Sequence, residues 1–261
     1  MRLPIYQVDA FSSRRFGGNP AAIVPLEAWL PDATLQAIAA ENNVAETAYF
    51  VPLADGAYHL RWFTPAVEVD LCGHATVATA YVLTHCLGKG DALFRFATLS
   101  GELRVWRDGE RFVLDFPARP PVERLASDPG YGLALGLTPV ELWAGKMILA
   151  VYPDAGAVRA LRPDFRALAA IEHFGLIATA PGEDVDFVSR FFAPRAGIDE
   201  DPVTGSAHCV LTPYWSARLG KKKLTARQVS ARGGELWLEQ RGERVSIAGD
   251  AVLYLEGAIS V

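Results

Sequence analysis

The sequence predicts an α/β protein of two pseudo-symmetric domains, each with its strands wrapped around one central buried helix. Three observations predict this fold class: a repeat whose period is half the chain, a nearly uncharged helical segment in each half, and a cluster of prolines between the halves. A period of half the chain indicates two similar domains, because solenoid repeats recur every ~20–50 residues.

The repeat is carried by short motifs that occur twice. Arg61-Trp62-Phe63-Thr64-Pro65 returns as Arg190-Phe191-Phe192-Ala193-Pro194, at an offset close to half the chain. Gly101-Glu102-Leu103 returns as Gly234-Glu235-Leu236 at a slightly larger offset, and Gly-Glu-Arg follows at the same spacing in both copies. Two similar domains leave a cleft between them, and small-molecule sites tend to lie in such clefts.

The first half centres on the segment Gly73–Leu87, which carries no charge apart from protonated histidine and is followed by Gly88. A helix that is apolar on every side is buried on every side, so we place it at the centre of its domain. The other elements expected in this half are strands Tyr6–Phe11 and Ala21–Val24 around the turn Gly17-Gly18-Asn19-Pro20, a helix from Pro31 through Asn42, strands Glu46–Val51 and His59–Phe63, and a hairpin over Gly101–Phe116.

The proline-rich residues 117–121 (PARPP) are the expected linker, because proline resists both helix and central strand. A second, mostly apolar helix is expected at Gly205–Leu219, interrupted by Pro213 and ended by Gly220. The domains are therefore expected at 1–118 and 119–255, with a last strand in 256–261 that could return to the first. The remaining expected elements are strand Met147–Tyr152, helix Asp164–Ile171, strands Leu176–Ala180 and Phe187–Phe192, and a hairpin turning at Arg241-Gly242.

Composition excludes several classes of protein. Hydrophobic residues at 51% and charged residues at 21% are ordinary for a globular protein with a sizeable core. A formal net charge of −5 gives no reason to expect nucleic acid or a membrane surface as a partner. Asp9 precedes any apolar segment long enough for a signal peptide, no segment is apolar enough to span a membrane, and three cysteines argue against a disulfide framework. A cytoplasmic location is expected.

Both buried helices begin in a turn of small residues, at Gly73 in the first half and Gly205 in the second. A helix N-terminus presents unpaired N–H groups and a partial positive charge, which suit a carboxylate or a phosphate. Two such helix starts meeting at a cleft are expected to hold an anionic ligand. The alternative is that the two glycines only permit close packing.

Glu46 is a carboxylate that one half alone supplies. It starts a predicted strand, and the offset that relates Arg61 to Arg190 puts Gly175 at the equivalent position of the second half. Burial among apolar groups raises the pKa of an acid and readies it for proton transfer near neutral pH. Glu46 is therefore the candidate general base, and an ordinary solvated glutamate at a strand edge is the alternative.

His74 and Asp201 occupy matching places near the two helix starts. Histidine titrates near neutral pH and can pass a proton on, and Asp201 could orient it or accept a proton from the ligand. Asp201 could instead belong to a solvated acidic turn with Asp199-Glu200, or cap the helix. His208 is expected to be structural, in the interior of its helix.

Cys72 precedes a helix start, where a thiolate is stabilised, so a nucleophilic or acid–base role is open. Zinc is not expected, because neither Cys72 with His74 nor His208 with Cys209 has the spacing of paired zinc ligands. Gly130–Gly136 has one residue too many for the dinucleotide motif G-x-G-x-x-G, and G-x-x-x-x-G-K-[ST] is absent. No nucleotide cofactor and no metal are expected.

The chain resembles a known family in five motifs: Phe11…Gly18-Asn19-Pro20, Asn43-Val44-Ala45-Glu46-Thr47, Phe63-Thr64-Pro65, Cys72-Gly73-His74-Ala75-Thr76 and Glu200-Asp201-Pro202-Val203-Thr204-Gly205-Ser206. In this order they resemble the phenazine-biosynthesis F-type (PhzF-like) isomerase family, which shares the diaminopimelate epimerase fold. The resemblance spans almost the whole chain. It implies two domains, each a curved, mostly antiparallel sheet around a central helix, in a homodimer that needs no cofactor or metal.

The resemblance also implies roles for individual residues. Glu46 matches the family's general base, and His74 and Asp201 match its proton-relay positions. Ser206 matches a helix-start serine near the substrate. Further positions that line the substrate are matched by Asn19, Gly73 and Gly205. The family reaction moves a proton within trans-2,3-dihydro-3-hydroxyanthranilate, an unsaturated cyclic acid on the way to phenazine.

Two departures from the family pattern bear on the substrate and the reaction. Ala45 stands where the phenazine enzyme has a serine, so the resemblance does not name the substrate. The epimerase relatives use two cysteines as bases; Cys72 fits the first, but the second falls at or near Pro202. We expect a cofactor-independent isomerase of a small carboxylate-bearing substrate. The alternatives are a racemase or epimerase that uses Cys72, and a scaffold that binds a small ligand without proton transfer.

Overall fold

The computed structural model describes residues 1–126 and 128–261 and divides the chain into two compact units. Unit 1 comprises Met1–Asp115 and Ala248–Val261, and unit 2 comprises Phe116–Ile247. The last strand therefore lies in unit 1, where it pairs with the first strand along almost its whole length. The domain limits expected from the sequence, 1–118 and 119–255, stay a prediction.

Both units contain many more strands than helices. The strands are β1 Arg2–Ala10, β2 Asn19–Pro25, β3 Glu46–Pro52, β4 Tyr58–Phe63, β5 Glu68–Val69, β6 Leu93–Thr98, β7 Gly101–Asp108, β8 Arg111–Pro117, β9 Glu123–Leu125, β10 Glu141–Ala144, β11 Ile148–Val151, β12 Leu176–Pro181, β13 Phe187–Ala193, β14 Ile198–Asp201, β15 Lys223–Gln228, β16 Gly234–Arg241, β17 Arg244–Gly249 and β18 Ala251–Ser260. The helices are α1 Asp32–Asn42, α2 Gly73–Tyr81, α3 Pro129–Leu135, α4 Ala155–Ala160, α5 Phe165–Ala170 and α6 Gly205–Leu219.

In unit 1 the strands surround α2. β1 pairs antiparallel with β2 and β18, and β2 runs parallel to β3. β3 pairs antiparallel with β4, β4 runs parallel to β6, and β6, β7 and β8 form an antiparallel meander. Helix α2 packs against β1, β2, β3, β7 and β18, and all of its residues before Tyr81 are buried. The uncharged segment is thus a central helix, as its composition predicts.

Unit 2 repeats this order of strands around α6. β10 pairs antiparallel with β11, β11 runs parallel to β12, β12 pairs antiparallel with β13, and β13 runs parallel to β15. The register repeats as well: Thr47 lies opposite Phe63 in unit 1, and Leu176 lies opposite Phe192 in unit 2. Leu176 and Phe192 follow Thr47 and Phe63 by the same offset that relates Arg190 to Arg61. The predicted fold class, two pseudo-symmetric sheets around buried helices, is confirmed.

One ion pair occupies the same place in both units. Arg61 Nε and Nη2 donate to the two Glu68 carboxylate oxygens at 2.7 and 2.8 Å, and Arg190 donates to Glu200 at the same two distances. The arginine side chains are only 14% and 11% exposed. Two parallel charge-assisted hydrogen bonds fix both partners in orientation. We call these two pairs the arginine braces.

Helix α6 is not interrupted at Pro213, and this prediction was wrong. The helix continues from Gly205 to Leu219. Proline lacks the N–H that would bond to the carbonyl of Cys209 one turn earlier. The backbone N–H of Arg119 donates to that carbonyl at 2.8 Å, so the freed acceptor is satisfied and the helix persists.

The segment Gly73–Leu87 also differs from its prediction at its C-terminal end. The α-helix stops at Tyr81, and a π-helical turn follows at Val82–Cys86. Cys86 is only partly buried, and His85 and Leu87 are exposed. The central helix is therefore surrounded on all sides only as far as Leu83, because the remaining turn reaches the surface. No helix in the described part of the chain has the length and apolar character that crossing a membrane requires.

Several short elements had no prediction. Helices α3 and α4 have seven and six residues, each begun by an aspartate whose side chain accepts a backbone N–H. Six or seven residues are too few for helical periodicity to emerge from the sequence. The other elements without a prediction are β5, β6, β9, β10, β14 and β15.

Candidate active site

Asn19 is placed by a turn that requires glycine. Gly18 has φ +64°, and a Cβ built on it would lie 2.1 Å from the carbonyl oxygen of Ala10, so a side chain there would collide with backbone. The turn brings the chain back against β1, with Ala10 opposite Asn19. Asn19 is thereby fixed as the first residue of β2, with its surface wholly buried.

Glu46 is the first residue of β3, the strand next to β2. The parallel register sets Glu46 beside Ala21, which is two residues beyond Asn19. Glu46 is 8% exposed. The residue is therefore buried in unit 1, and the alternative of a solvated strand-edge glutamate does not apply.

The start of α2 places Cys72 and His74. Cys72 is the extended residue before the helix, and its carbonyl accepts hydrogen bonds from the N–H and the hydroxyl of Thr76. His74 follows in the first helical turn, and both side chains are buried. No side chain caps this helix start. Its first N–H groups are therefore available to an anion.

The side chains of Asn19, Glu46 and Cys72 all contact the imidazole of His74. Nε2 lies 3.0 Å from Glu46 Oε2, and Nδ1 lies 3.1 Å from Asn19 Nδ2. Cys72 Sγ lies 3.5 Å from Nδ1 and 4.0 Å from Nε2. When Asn19 donates to Nδ1, the neutral ring carries its proton on Nε2, the nitrogen that faces Glu46.

The contact between His74 and Glu46 is an ion-pair contact rather than a well-aligned hydrogen bond. Nε2 and Oε2 are close enough for an ion pair, but their alignment falls outside hydrogen-bond geometry, and Oε2 has no hydrogen bond. A buried carboxylate oxygen without a hydrogen bond is rare and costly in a folded protein. It is therefore a candidate acceptor for a proton from a ligand.

The charges of the cluster shift its pKa values. Burial alone lowers the pKa of His74, but its contacts with Cys72 and with the charge of Glu46 raise that pKa well above the usual value. Burial, and then the charge of Glu46, raises the pKa of the Cys72 thiol to about 11. Cys72 is therefore a neutral thiol near neutral pH, and Glu46 is the anion that holds the proton on His74.

Asp201, Gly205 and Ser206 lie in unit 2, at the turn into α6. Asp201 is buried, and its Oδ2 accepts a hydrogen bond from the hydroxyl of Thr204. Gln228, fully buried at the end of β15, accepts the Thr204 N–H at 2.9 Å and donates to the Asp201 carbonyl at 2.7 Å. Thr204 makes no side-chain cap, so this helix start also offers N–H groups to an anion.

Gly175 has the position in unit 2 that Glu46 has in unit 1. A Cβ at Gly175 would lie 2.4 Å from Cζ of Phe191, a distance that real side chains do not tolerate. Phe191 is itself the repeat equivalent of Trp62. Unit 2 therefore has no room for an acid at this position, and Glu46 has no duplicate.

Two features of the site had no sequence signal. Gln228 stands alone at the end of a strand with no motif around it, so its bonds to the Asp201–Thr204 turn could not be expected. The closeness of Cys72 to Glu46 depends on strand register, which spacing does not give. His208 is structural, as expected: it is fully buried, its Nδ1 lies 2.8 Å from the Thr204 carbonyl, and burial lowers its pKa to about 4.

Comparisons with known proteins identify relatives of this chain. The model of a family described as phenazine biosynthesis-like protein matches residues 8–257. An uncharacterized isomerase of Pseudomonas aeruginosa is 55% identical over 260 residues, covering 99% of each chain. A phenazine biosynthesis-like domain-containing protein of Homo sapiens is 42% identical over 287 residues, covering 100% of each. Isomerase-type or epimerase-type activity is the function that the names of the relatives support.

Solved structures extend the comparison to the fold. A phenazine biosynthesis protein of the PhzF family from Enterococcus faecalis is similar with a TM-score of 0.97 at 47% identity, covering 100% of both chains. A predicted epimerase from Pseudomonas aeruginosa has a TM-score of 0.75 at 22% identity, covering 99% of both. The second likeness shows the fold alone, which is the epimerase-like fold expected from the motifs.

Proposed function

We propose, since the chain belongs to the phenazine biosynthesis-like (PhzF) family, that it is a cofactor-independent isomerase that moves a proton within a small carboxylate-bearing substrate. One observation carries the proposal: the buried Oε2 of Glu46 has no hydrogen bond and lies 3.0 Å from His74 Nε2. A general base needs a free lone pair directed at the proton it removes. Glu46 meets this need within the cluster.

In the proposed reaction Glu46 removes a proton from one carbon of the substrate and returns it to another. The Nε2 atom of His74, 3.0 Å away, exchanges a proton with Glu46 between these steps. Asn19 keeps the ring oriented through its contact with Nδ1. Asp201 is proposed as a second relay position on the strength of the resemblance, in a turn that Gln228 holds by hydrogen bonds.

The substrate carboxylate is proposed to bind at the start of α2, in the same unit as Glu46. The first turns of α2 and α6 carry N–H groups without side-chain caps, and they begin at Gly73 and Gly205. Fixed donors stabilise the negative charge that develops on the carboxylate when a neighbouring carbon loses its proton. Gly205 and Ser206 begin α6 in unit 2, and their roles at the substrate are proposed on the strength of the resemblance alone.

The cysteine-dependent alternative has less support. A racemase needs a thiolate as its base, but the pKa of Cys72 is raised to about 11 by burial and by Glu46. Pro202 stands where a second cysteine would be needed. The cytoplasmic location stays a proposal that rests on composition, and the homodimer and a place in phenazine biosynthesis stay proposals that rest on the resemblance.

Deuterium incorporation tests the proposed reaction directly. Small unsaturated cyclic acids and amino acids are incubated with the protein in deuterium oxide and followed by NMR. We expect exchange at a carbon next to the carboxylate, slowed roughly 100-fold or more in Glu46→Gln and retained in Cys72→Ser. Glu41→Gln, which alters an exposed glutamate of α1 in the same unit, is the matched control and should exchange like the unmodified protein.

Three results would contradict the proposal. Loss of exchange in Cys72→Ser with retention in Glu46→Gln favours the racemase. Equal loss in Glu41→Gln and Glu46→Gln shows that the acid at position 46 has no special role. Binding of a carboxylic acid without any exchange, in protein that is fully folded, favours a ligand-binding scaffold.

A further inference from the structure

Three different ligand types for a transition metal meet in unit 1. Glu46 supplies a carboxylate oxygen, Cys72 a sulfur and His74 a ring nitrogen, and these atoms all lie within 4.8 Å of one another. All three residues are buried. We propose that this cluster is a binding site for a zinc-type divalent ion, which inhibits the protein by occupying the proton-transfer position. The inhibition rests on the proposed function, whereas the binding does not.

The distances between the ligand atoms suit a tetrahedral ion. Bond lengths of about 2.0 to 2.3 Å from zinc to oxygen, nitrogen and sulfur place neighbouring ligand atoms about 3.3 to 3.6 Å apart. In unit 1, His74 Nε2 lies 3.0 Å from Glu46 Oε2 and 4.0 Å from Cys72 Sγ. Side-chain shifts of about 1 Å or less would therefore complete three bonds to one ion. Glu46 Oε2 has no hydrogen bond to give up for this.

The charges balance when the ion binds. Cys72 releases its thiol proton to solvent and binds as a thiolate, His74 releases one ring proton and binds as a neutral imidazole, and Glu46 binds as a carboxylate. These two negative charges cancel the two positive charges of the ion, so the buried group as a whole is neutral. A neutral set of paired charges avoids the large cost of an uncompensated buried charge. The fourth position of the ion stays open to water or to a substrate carboxylate.

Asn19 would act as the outer partner of this ion. When Nε2 of His74 binds a metal, the ring proton moves to Nδ1, which lies 3.1 Å from the Asn19 amide. Rotation of that amide presents its oxygen to the N–H, which is the outer contact that metal-binding histidines make. Asn19 therefore fits the metal-bound ring as well as the free one, with a half-turn of its side chain.

Cobalt is the probe for this site, because a Co²⁺–thiolate bond gives a charge-transfer absorption band. Tag-free protein is stripped with a chelator, which is then removed, and it is titrated with Co²⁺ and, by equilibrium dialysis, with Zn²⁺. We expect one ion per chain, a thiolate band that Zn²⁺ abolishes, and a Zn²⁺-dependent rise in Tm. Absence of the thiolate band from folded, unmodified protein overturns the proposal without any variant.

Variants assign the ligands. Cys72→Ser, Glu46→Gln and His74→Asn should each weaken Zn²⁺ binding by more than the roughly 10- to 100-fold that loss of an outer partner costs, and Asn19→Ala by about that factor. Cys86→Ser, which changes a partly buried thiol, and His85→Asn, which changes an exposed imidazole of the same unit, are controls and should bind normally. A band that disappears in Cys86→Ser and survives in Cys72→Ser overturns the assignment.

The metal proposal and the proposed reaction can fail separately. Exchange of substrate deuterium is measured in metal-free protein and again with Zn²⁺ present. Exchange in metal-free protein that never forms the cobalt band defeats the metal proposal alone. A cobalt band in protein that exchanges no substrate proton defeats the proposed reaction alone. Exchange that is abolished by Zn²⁺ in the control variants supports both.

Discussion

Asn19 Nδ2 lies 3.1 Å from His74 Nδ1, and this contact decides which ring nitrogen faces Glu46. A donor at Nδ1 makes that nitrogen an acceptor, so the proton of the neutral ring resides on Nε2. The acid and the nitrogen that carries the proton thereby lie 3.0 Å apart before any ligand arrives. The contact in turn depends on the tight turn at Gly18, which fixes Asn19 at the start of β2.

Replacing Asn19 with alanine should release the ring of His74. At a pH above the His74 pKa, we expect imidazole ¹⁵N NMR to change from one tautomer, protonated on Nε2, to a mixture of both. Deuterium exchange of the substrate should slow roughly 10- to 100-fold, because a misplaced proton donor costs about this much. An unchanged tautomer with normal exchange would mean that other contacts orient the ring.

The pKa of His74 should depend on Glu46. In the metal-free protein, His74 should titrate well above the usual histidine range, because its contacts with Cys72 and with the charge of Glu46 outweigh burial. A histidine whose pKa is higher in the folded state than in the unfolded state stabilises the fold when it is protonated. This stabilisation is complete below pH ~6.5 and is lost as the pH rises through the folded-state pKa. In Glu46→Gln, burial dominates and the pKa should fall. NMR titration measures both, and an identical pKa in the two proteins would contradict the assignment of charge.

His208 should make the fold sensitive to acid. Burial lowers its folded-state pKa to about 4, whereas an unfolded histidine titrates near pH ~6.5. The unfolded chain therefore binds the extra proton, and stability is lost as pH falls from about 6.5 to about 4, by about 3 kcal/mol in total. Denaturant titrations across this range should show a shallower loss in His208→Gln. Parallel curves for the two proteins would show that His208 is not the group responsible.

Gly175→Ala should destabilise unit 2. The added methyl group would lie 2.4 Å from the ring of Phe191, and overpacking of this kind costs about 1–3 kcal/mol. Gly90→Ala is the matched control, because nothing lies within 4 Å of a Cβ there, and it should change stability by about 0.5 kcal/mol or less. The free energy of unfolding is measured with denaturant. Equal effects of the two substitutions would show that the Phe191 ring moves aside without lowering the free energy of unfolding.

The duplicated architecture could be predicted because each signal for it is local. The motifs around Arg61 and Arg190 give the offset between the two halves, and the uncharged segment after Cys72 gives the central helix. The same offset singled out Glu46 against Gly175. Pro213 misled because its local effect, a freed carbonyl, is corrected by the N–H of Arg119, which is distant in sequence.

The details of the site could not be predicted, since they depend on register between distant segments. Cys72 and His74 are separated by one residue, and this spacing argued against zinc. The third ligand, Glu46, comes from β3, a separate strand earlier in the chain. Gln228 meets the turn at Thr204 through pairing of β15 with β13, which no short motif encodes.

The arginine braces hold the strand after the repeated motif in both units with the same pair of bonds, yet the residue that begins β3 differs from its counterpart before β12. The two units thus share this ion pair and differ at the position of Glu46, where unit 2 has Gly175. Mutations that diversify the chemistry around Glu46 can accumulate without disturbing the corresponding residues of the other copy. Laboratory evolution of new activities should therefore begin with libraries at the positions around Glu46 and keep both arginine braces unchanged.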